Sequence, residues 1–129
     1  MRENSVGRTG ANRRDSVRVP QHYMLNFRPL SSTVKSEWDI SSTRNLSKRG
    51  VLFYGAKPFF TGTLLEMKIR TPSSAEGQIC QARVIRCEPI LNQSNLFAIA
   101  VNITLFDNHT KAVIHQTIDE YTKNKKVFI

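Results

Sequence analysis

The sequence predicts a mainly β fold, a six-stranded antiparallel β-barrel followed by one C-terminal α-helix. Three observations lead there. Six stretches between residues 19 and 105 alternate apolar and polar side chains with period two, the signature of half-buried strands. The segments between them are short and carry Pro, Gly, Ser or Asn, so successive strands return antiparallel, and closing such a sheet removes its exposed edges. After residue 106 the apolar spacing changes to that of a helix. With 129 residues, 40% of them hydrophobic, the chain suits one domain around one modest core.

Residues 1–12 mix charges with Ser5, Gly7, Thr9 and Gly10 and show no periodicity, which predicts a flexible basic arm. The barrel domain is expected over residues 13–129. In its first strand Val19, Gln21, Tyr23, Leu25 and Phe27 share a face, and Pro20 suits a strand's opening residues. A polar turn follows at residues 29–33. The second strand is expected from Val34 to about Asn45, with Val34, Trp38 and Ile40 turned inward as core. Residues 51–54 form a short buried strand, and residues 55–62, with Pro58 in the middle, connect it to the next. There Thr63, Leu65, Met67 and Ile69 alternate against Glu66, Lys68 and Arg70. A fifth strand runs from Gln78 to Cys87, with Cys80, Ala82 and Val84 inward. A sixth is carried by Phe97, Ile99, Val101, Ile103 and Leu105. Asp107 or Asn108 can cap a helix over about residues 108–122. Ile114, Ile118 and Tyr121 form its apolar stripe, broadened by Val113. Lys123, Lys125 and Lys126 suit the negative end of its dipole.

Of the net charge of +9, residues 1–49 carry +6, from ten Lys/Arg against four acids. Such an imbalance implies an anionic partner without choosing its class. The first 20 residues hold no apolar run, so no secretory signal is expected. The longest uncharged stretch, residues 89–106, contains four amides and is no membrane span. Cys80 and Cys87 are too far apart for a CxxC site, and seven residues along a strand place them on opposite faces. Two reduced thiols in a cytoplasmic protein are expected.

Two short motifs carry the functional reading. Arg14-Asp15-Ser16-Val17-Arg18 is an RxxxR, and Asn45-Leu46-Ser47-Lys48-Arg49-Gly50 is a [D/N]xSxxG. Each alone is close to noise. The segment between them reads as one hairpin with legs of similar length, at ~3.3 Å per residue, so Asn45 returns to the neighbourhood of Arg18. Arginine forks two N–H groups onto phosphate oxygens or onto guanine O6 and N7. Asn45 offers both an acceptor and a donor to a purine edge, and Ser47 can reach a phosphate or ribose oxygen. Gly50 lets backbone approach the ligand or take up positive φ. Together they suit a phosphate-bearing purine.

These residues resemble the PilZ domain, the bacterial receptor module for the second messenger cyclic di-GMP, over about residues 13–121. Pro58 to Thr63 and Ala100 to Ile103 also look like the family's text. The resemblance implies a six-stranded split barrel with a helix after its last strand, in agreement with the reading above. It implies that Arg14 and Arg18 clamp phosphate and guanine, that Asn45, Ser47 and Gly50 complete the pocket, and that Arg13, just before RxxxR, favours a stacked pair of nucleotides. It also implies a ligand-switched adaptor whose RxxxR segment folds over the barrel, with a downstream protein partner that the sequence does not name. Asn45 stands where aspartate is commoner, and Arg49 where a second glycine is frequent.

No cofactor, metal site or catalytic constellation is expected. His109 and His115 are six residues apart on the helix and His22 is distant, while adjacent Asp119 and Glu120 cannot act as a facing acid and base. A small basic barrel that binds single-stranded nucleic acid is the alternative of a different class. It would need exposed aromatics interleaved with Lys/Arg, and only Tyr54, Phe59 and Phe60 leave the inward pattern. A PilZ-like scaffold that only binds protein is a second alternative, opposed by the presence of Arg14, Arg18, Asn45, Ser47 and Gly50.

Overall fold

The computed structural model describes residues 18–31, 36–72, 74–93 and 95–127. Its strands are β1 (Met24–Pro29), β2 (Asp39–Leu46), β3 (Gly50–Gly55), β4 (Leu64–Thr71), β5 (Ser74–Pro89) and β6 (Phe97–Leu105), followed by helix α1 (Asn108–Val127). The sheet closes in the order β1-β2-β3-β6-β5-β4, with every neighbouring pair antiparallel. The expected arm, residues 1–12, lies outside the described residues, as do Arg13, Arg14 and Val34.

Inward alternation builds the interior. Leu25, Phe27, Phe53, Leu65, Met67, Ile69, Ala82, Val84 and Ile99 are buried from neighbouring staves. Fully burying one Leu or Ile contributes ~1.5–3 kcal/mol, so a set of this size can hold the barrel closed. Cys80 belongs to it, and burial pushes its thiol up to about 12, which leaves it unreactive. No helix among the described residues is long and apolar enough to cross a membrane.

Two bulges correct the simple alternation. In β2, Thr43 pairs with Phe53 and Asn45 with Leu52, so Arg44 is an extra residue. Thr43 and Leu46 are therefore both buried although three apart, and Asn45 is turned outward beside Leu52. Ile40 is 73% exposed, against the expectation that it faces the core. The inward phase of β2 belongs instead to Ser41, whose hydroxyl donates to Tyr54 O at 2.6 Å, and to Thr43. Trp38 is likewise not core. It is half-buried on the outside, with the Arg28 guanidinium 3.9 Å over its ring and the Lys68 ammonium at 5.5 Å.

In β5 the register shifts between Val84 and Arg86, making Ile85 the extra residue. Cys87 then packs against the core like Cys80, and the expected opposite faces are not found. Both thiols are free. Gln21 also departs from its expected inward slot and is exposed, because the chain is not regular strand between Val19 and Met24. In that stretch Tyr23 N–H donates to Thr43 Oγ1 at 2.9 Å, and Thr43 Oγ1 donates to Gln21 O at 3.0 Å.

Helix α1 begins where its cap predicts. Asp107 Oδ1 accepts from Thr110 N–H at 2.7 Å, and those bonds hold the Asp107 carboxyl below its ordinary range. The stripe of Val113, Ile114 and Ile118 is buried, and Ile114 and Ile118 join the cluster that contains Val19, Tyr23 and Leu46. The helix thus covers one pole of the barrel. It runs to Val127, past the expected end near 122.

Candidate functional site

The two motifs were expected to converge at one edge of the fold, and that edge lies at the pole under α1. Val19 and Leu46 form a two-way bridge, N–H to O at 2.7 Å and 2.9 Å, and Val19 is fully buried. In an antiparallel bridge the residue before one partner lies opposite the residue after the other. Arg18 therefore stands across from Ser47, on the exposed rim. The structure brings together Arg18, Asn45, Ser47 and Gly50. Arg13 and Arg14 lie outside the described residues.

Within the turn, Ser47 is a brace. Its Oγ accepts from Gly50 N–H at 3.1 Å and Arg49 N–H at 3.3 Å, while Ser47 N–H donates to Gly50 O at 2.9 Å. Its hydroxyl hydrogen makes only a long contact of 3.3 Å to Gly50 O, so that hydrogen can be redirected to a phosphate oxygen without dismantling the turn. Gly50 has a reason the sequence did not show. A Cβ there would overlap the Val101 carbonyl oxygen of β6, so glycine is required by strand approach, and its φ is not positive. Asn45 is half-buried and owes its outward aim to the Arg44 bulge.

Around this turn the surface is basic. Arg44 lies over the Tyr54 ring at 4.7 Å, on the outer faces of β2 and β3. Lys48 Nζ is 3.5 Å from Asp119 Oδ1 on α1, a link between turn and helix that no local pattern in the chain foretells. On the other flank of the turn, an open groove of ≈ 530 Å³ is lined by Lys48 and Arg49, by Asn102, Ile103 and Phe106, and by Lys111 and His115 of α1. Burial first, then the nearby Lys48 and Lys111 charges, lowers the His115 pKa from its ordinary value, with Asp119 opposing them. No periodicity points to Asn102, Lys111 and His115 as neighbours of Lys48, since only barrel closure and helix docking join them. Among the described residues no group of three or more His, Cys, Asp or Glu side chains could hold a metal ion.

The PilZ domain model matches residues 12–121 of this chain. Among solved structures, the Bacillus subtilis inhibitor of motility, MotI/DgrA, superposes with a TM-score of 0.72 at 19% identity. The match covers 88% of this chain and 52% of that one, so this chain spans about half the length of MotI/DgrA. The PilZ domain of CeSA from a cellulose-synthesizing bacterium superposes with a TM-score of 0.59 at 15% identity, covering 83% of this chain and 99% of that domain. At these identities the two structures share the fold. No curated protein matches.

Proposed function

The chain belongs to the PilZ domain family, and we propose that it binds cyclic di-GMP and acts as a ligand-switched adaptor with no catalytic step of its own. The Val19–Leu46 bridge is the observation that carries this reading, because it sets Arg18 across the rim from Ser47. In the proposed complex, Arg14 and Arg18 grip phosphate and guanine with charge-assisted bonds of ~1.5–3 kcal/mol each. Asn45 reads a guanine edge, and the Ser47 hydroxyl hydrogen turns from Gly50 O to a phosphate oxygen. Arg13 stacks against a second nucleotide.

Binding folds the RxxxR segment onto the barrel and changes the surface that a partner protein meets near residues 13–18 and 44–50. The motility inhibitor among the structural relatives makes a motility machine one candidate output. A cytoplasmic site of action follows from the ligand, a messenger made inside the cell. Calorimetric titration with cyclic di-GMP tests the reading. Wild type should release heat at micromolar affinity or better, and Arg14→Ala and Arg18→Ala should each weaken binding by ~10-fold or more. No heat with wild type, or equal affinity in all three proteins, defeats it. Arg13→Leu should move the stoichiometry from two nucleotides per chain towards one.

A further inference from the structure

The barrel has an outward face that the motifs do not use, carried by β1 and β4 with the adjoining parts of β2 and β5. Ile40 pairs with Asn26, Asn26 with Lys68, and Lys68 with Ile79, so the four stand in one row across the strands. The two ends of the row are apolar and exposed, Ile40 at 73% and Ile79 at 50%. Met24, two residues before Asn26 and so on the same side of β1, is also exposed. The centre of this apolar frame is cationic. Lys68 lies 5.5 Å over the Trp38 ring, and the Arg70 guanidinium donates to Asn26 Oδ1. Gly77, at φ 96°, lets both stems lie flat across β5, since a Cβ there would overlap Lys68 Cγ and crowd Arg70 Cγ. Arg28 is neutralised by Glu66 at 2.9 Å, whereas among the described residues neither Lys68 nor Arg70 forms an ion pair. The acids at the margin, Asp39 beside Ile40 and Glu76 beside Gly77, are not paired with them.

We propose that this face docks an acidic amphipathic helix of a partner protein, its carboxylates on Lys68 and Arg70 and its apolar residues on Ile40, Met24 and Ile79. Through this row β1 and β4 are each paired on both sides, so no backbone edge is open to accept a strand, and side chains alone make the contact. Three inter-strand spacings of ~4.8 Å put Ile40 and Ile79 about 14 Å apart, the length of about nine helical residues. A helix laid across the strands thus reaches both apolar ends with its acids between them. The net charge of +9 adds long-range attraction for such a partner. A second copy fits poorly, because a two-fold axis through the face sets Lys68 and Arg70 against their own copies. A bilayer fits poorly too, since its apolar boundary would press on the cationic centre, whereas membrane-binding faces keep their cations apart from the apolar residues. Strand pairing builds the face, so docking there needs no nucleotide at the motif pole and does not rest on the receptor reading above.

The probe is a synthetic helical peptide with leucines along one stripe and glutamates beside them, titrated into the full chain and followed by amide NMR. Two control peptides carry lysine for every glutamate or serine for every leucine. The proposal expects the leucine–glutamate peptide to bind at least ~10-fold more tightly than either control, with shifts centred on Met24, Ile40, Lys68 and Ile79. Ile40→Ser, Ile79→Ser and Lys68→Gln should each weaken it by ~10-fold or more, and Arg18→Ala should leave it unchanged. Ile40 and Ile79 are exposed, so their serine variants keep the barrel. No binding, equal binding by a control peptide, shifts centred elsewhere, or equal affinity in the variants each overturns the proposal. Vesicles of phosphatidylcholine with phosphatidylserine, and sedimentation equilibrium of the protein alone, test the other occupants. Vesicle binding or a dimer that Ile40→Ser abolishes overturns the proposal by giving the face to lipid or to a second copy. Peptide binding by a chain that takes up no cyclic di-GMP keeps this face and sinks the receptor reading. Cyclic di-GMP binding without peptide binding sinks this face alone.

Discussion

The two poles of the barrel are built on different physics. At the pole away from α1, aromatic packing closes the core: Phe27 meets Phe53 with ring centroids 4.8 Å apart and Phe59 edge-on at 6.3 Å. At the motif pole, closure relies on hydrogen bonds. Thr43 satisfies Tyr23 N–H and Gln21 O, Ser47 braces its own turn, and the Val19–Leu46 bridge ties the entering chain to the rim. An aromatic seal holds whatever the solvent contains. A hydrogen-bonded rim dense with Lys and Arg can exchange some of its contacts for those of an anionic ligand, which is why the proposed site is placed at that end.

The contrast can be broken in steps of decreasing size. Phe53→Ala should cost about 3–5 kcal/mol in denaturant unfolding, since Phe53 is fully buried and its loss opens a cavity beside Phe27. Ligand affinity measured below the unfolding transition should survive it. Gly50→Ala should cost about 2 kcal/mol, because the added Cβ meets β6 backbone and one strand must yield. It should also weaken cyclic di-GMP, since the braced turn moves with it. Thr43→Val, nearly isosteric, should cost about 1–2 kcal/mol by leaving Tyr23 N–H and Gln21 O unpaired.

Acid should weaken the motif pole. The pKa of His115 lies lower in the folded protein than its ordinary 6.5, so the unfolded chain binds the proton first and stability falls as pH drops below that value. Asp107 acts in the same direction further down, since its stabilisation is present above pH 3.8 and lost as pH falls through its lower folded pKa. Melting temperature against pH should show the first slope, and His115→Gln should flatten it. Phe60→Ser closes the series. Phe60 is 90% exposed, so the change should stay within about 0.5 kcal/mol, and a larger loss would show that the far pole depends on that loop tip.

How much of this was legible in the chain varies element by element. The alternation of Leu65, Met67 and Ile69 gave β4, and the stripe of Ile114 and Ile118 gave α1, because period and burial are the same information there. Hairpin geometry was enough to return Asn45 to Arg18's neighbourhood. Trp38 and Ile40 were misread because large apolar side chains were assigned inward, whereas Trp38 lies beneath Arg28 and Lys68 on the outside. The groove was not legible, because Lys48, Asn102 and Lys111 come from three separate elements.

Local pattern, by itself, determined the six staves, the helix with a cap at Asp107 or Asn108, and the return of Asn45 to the neighbourhood of Arg18, since these depend on periods and offsets along the chain. Tertiary structure alone decided which way Asn45 and Cys87 point, why position 50 must be glycine, and which helix residues face the turn. The reason is that a one-residue bulge is set by pairing with a neighbouring strand, and it reverses every side chain beyond it without leaving a mark in the composition.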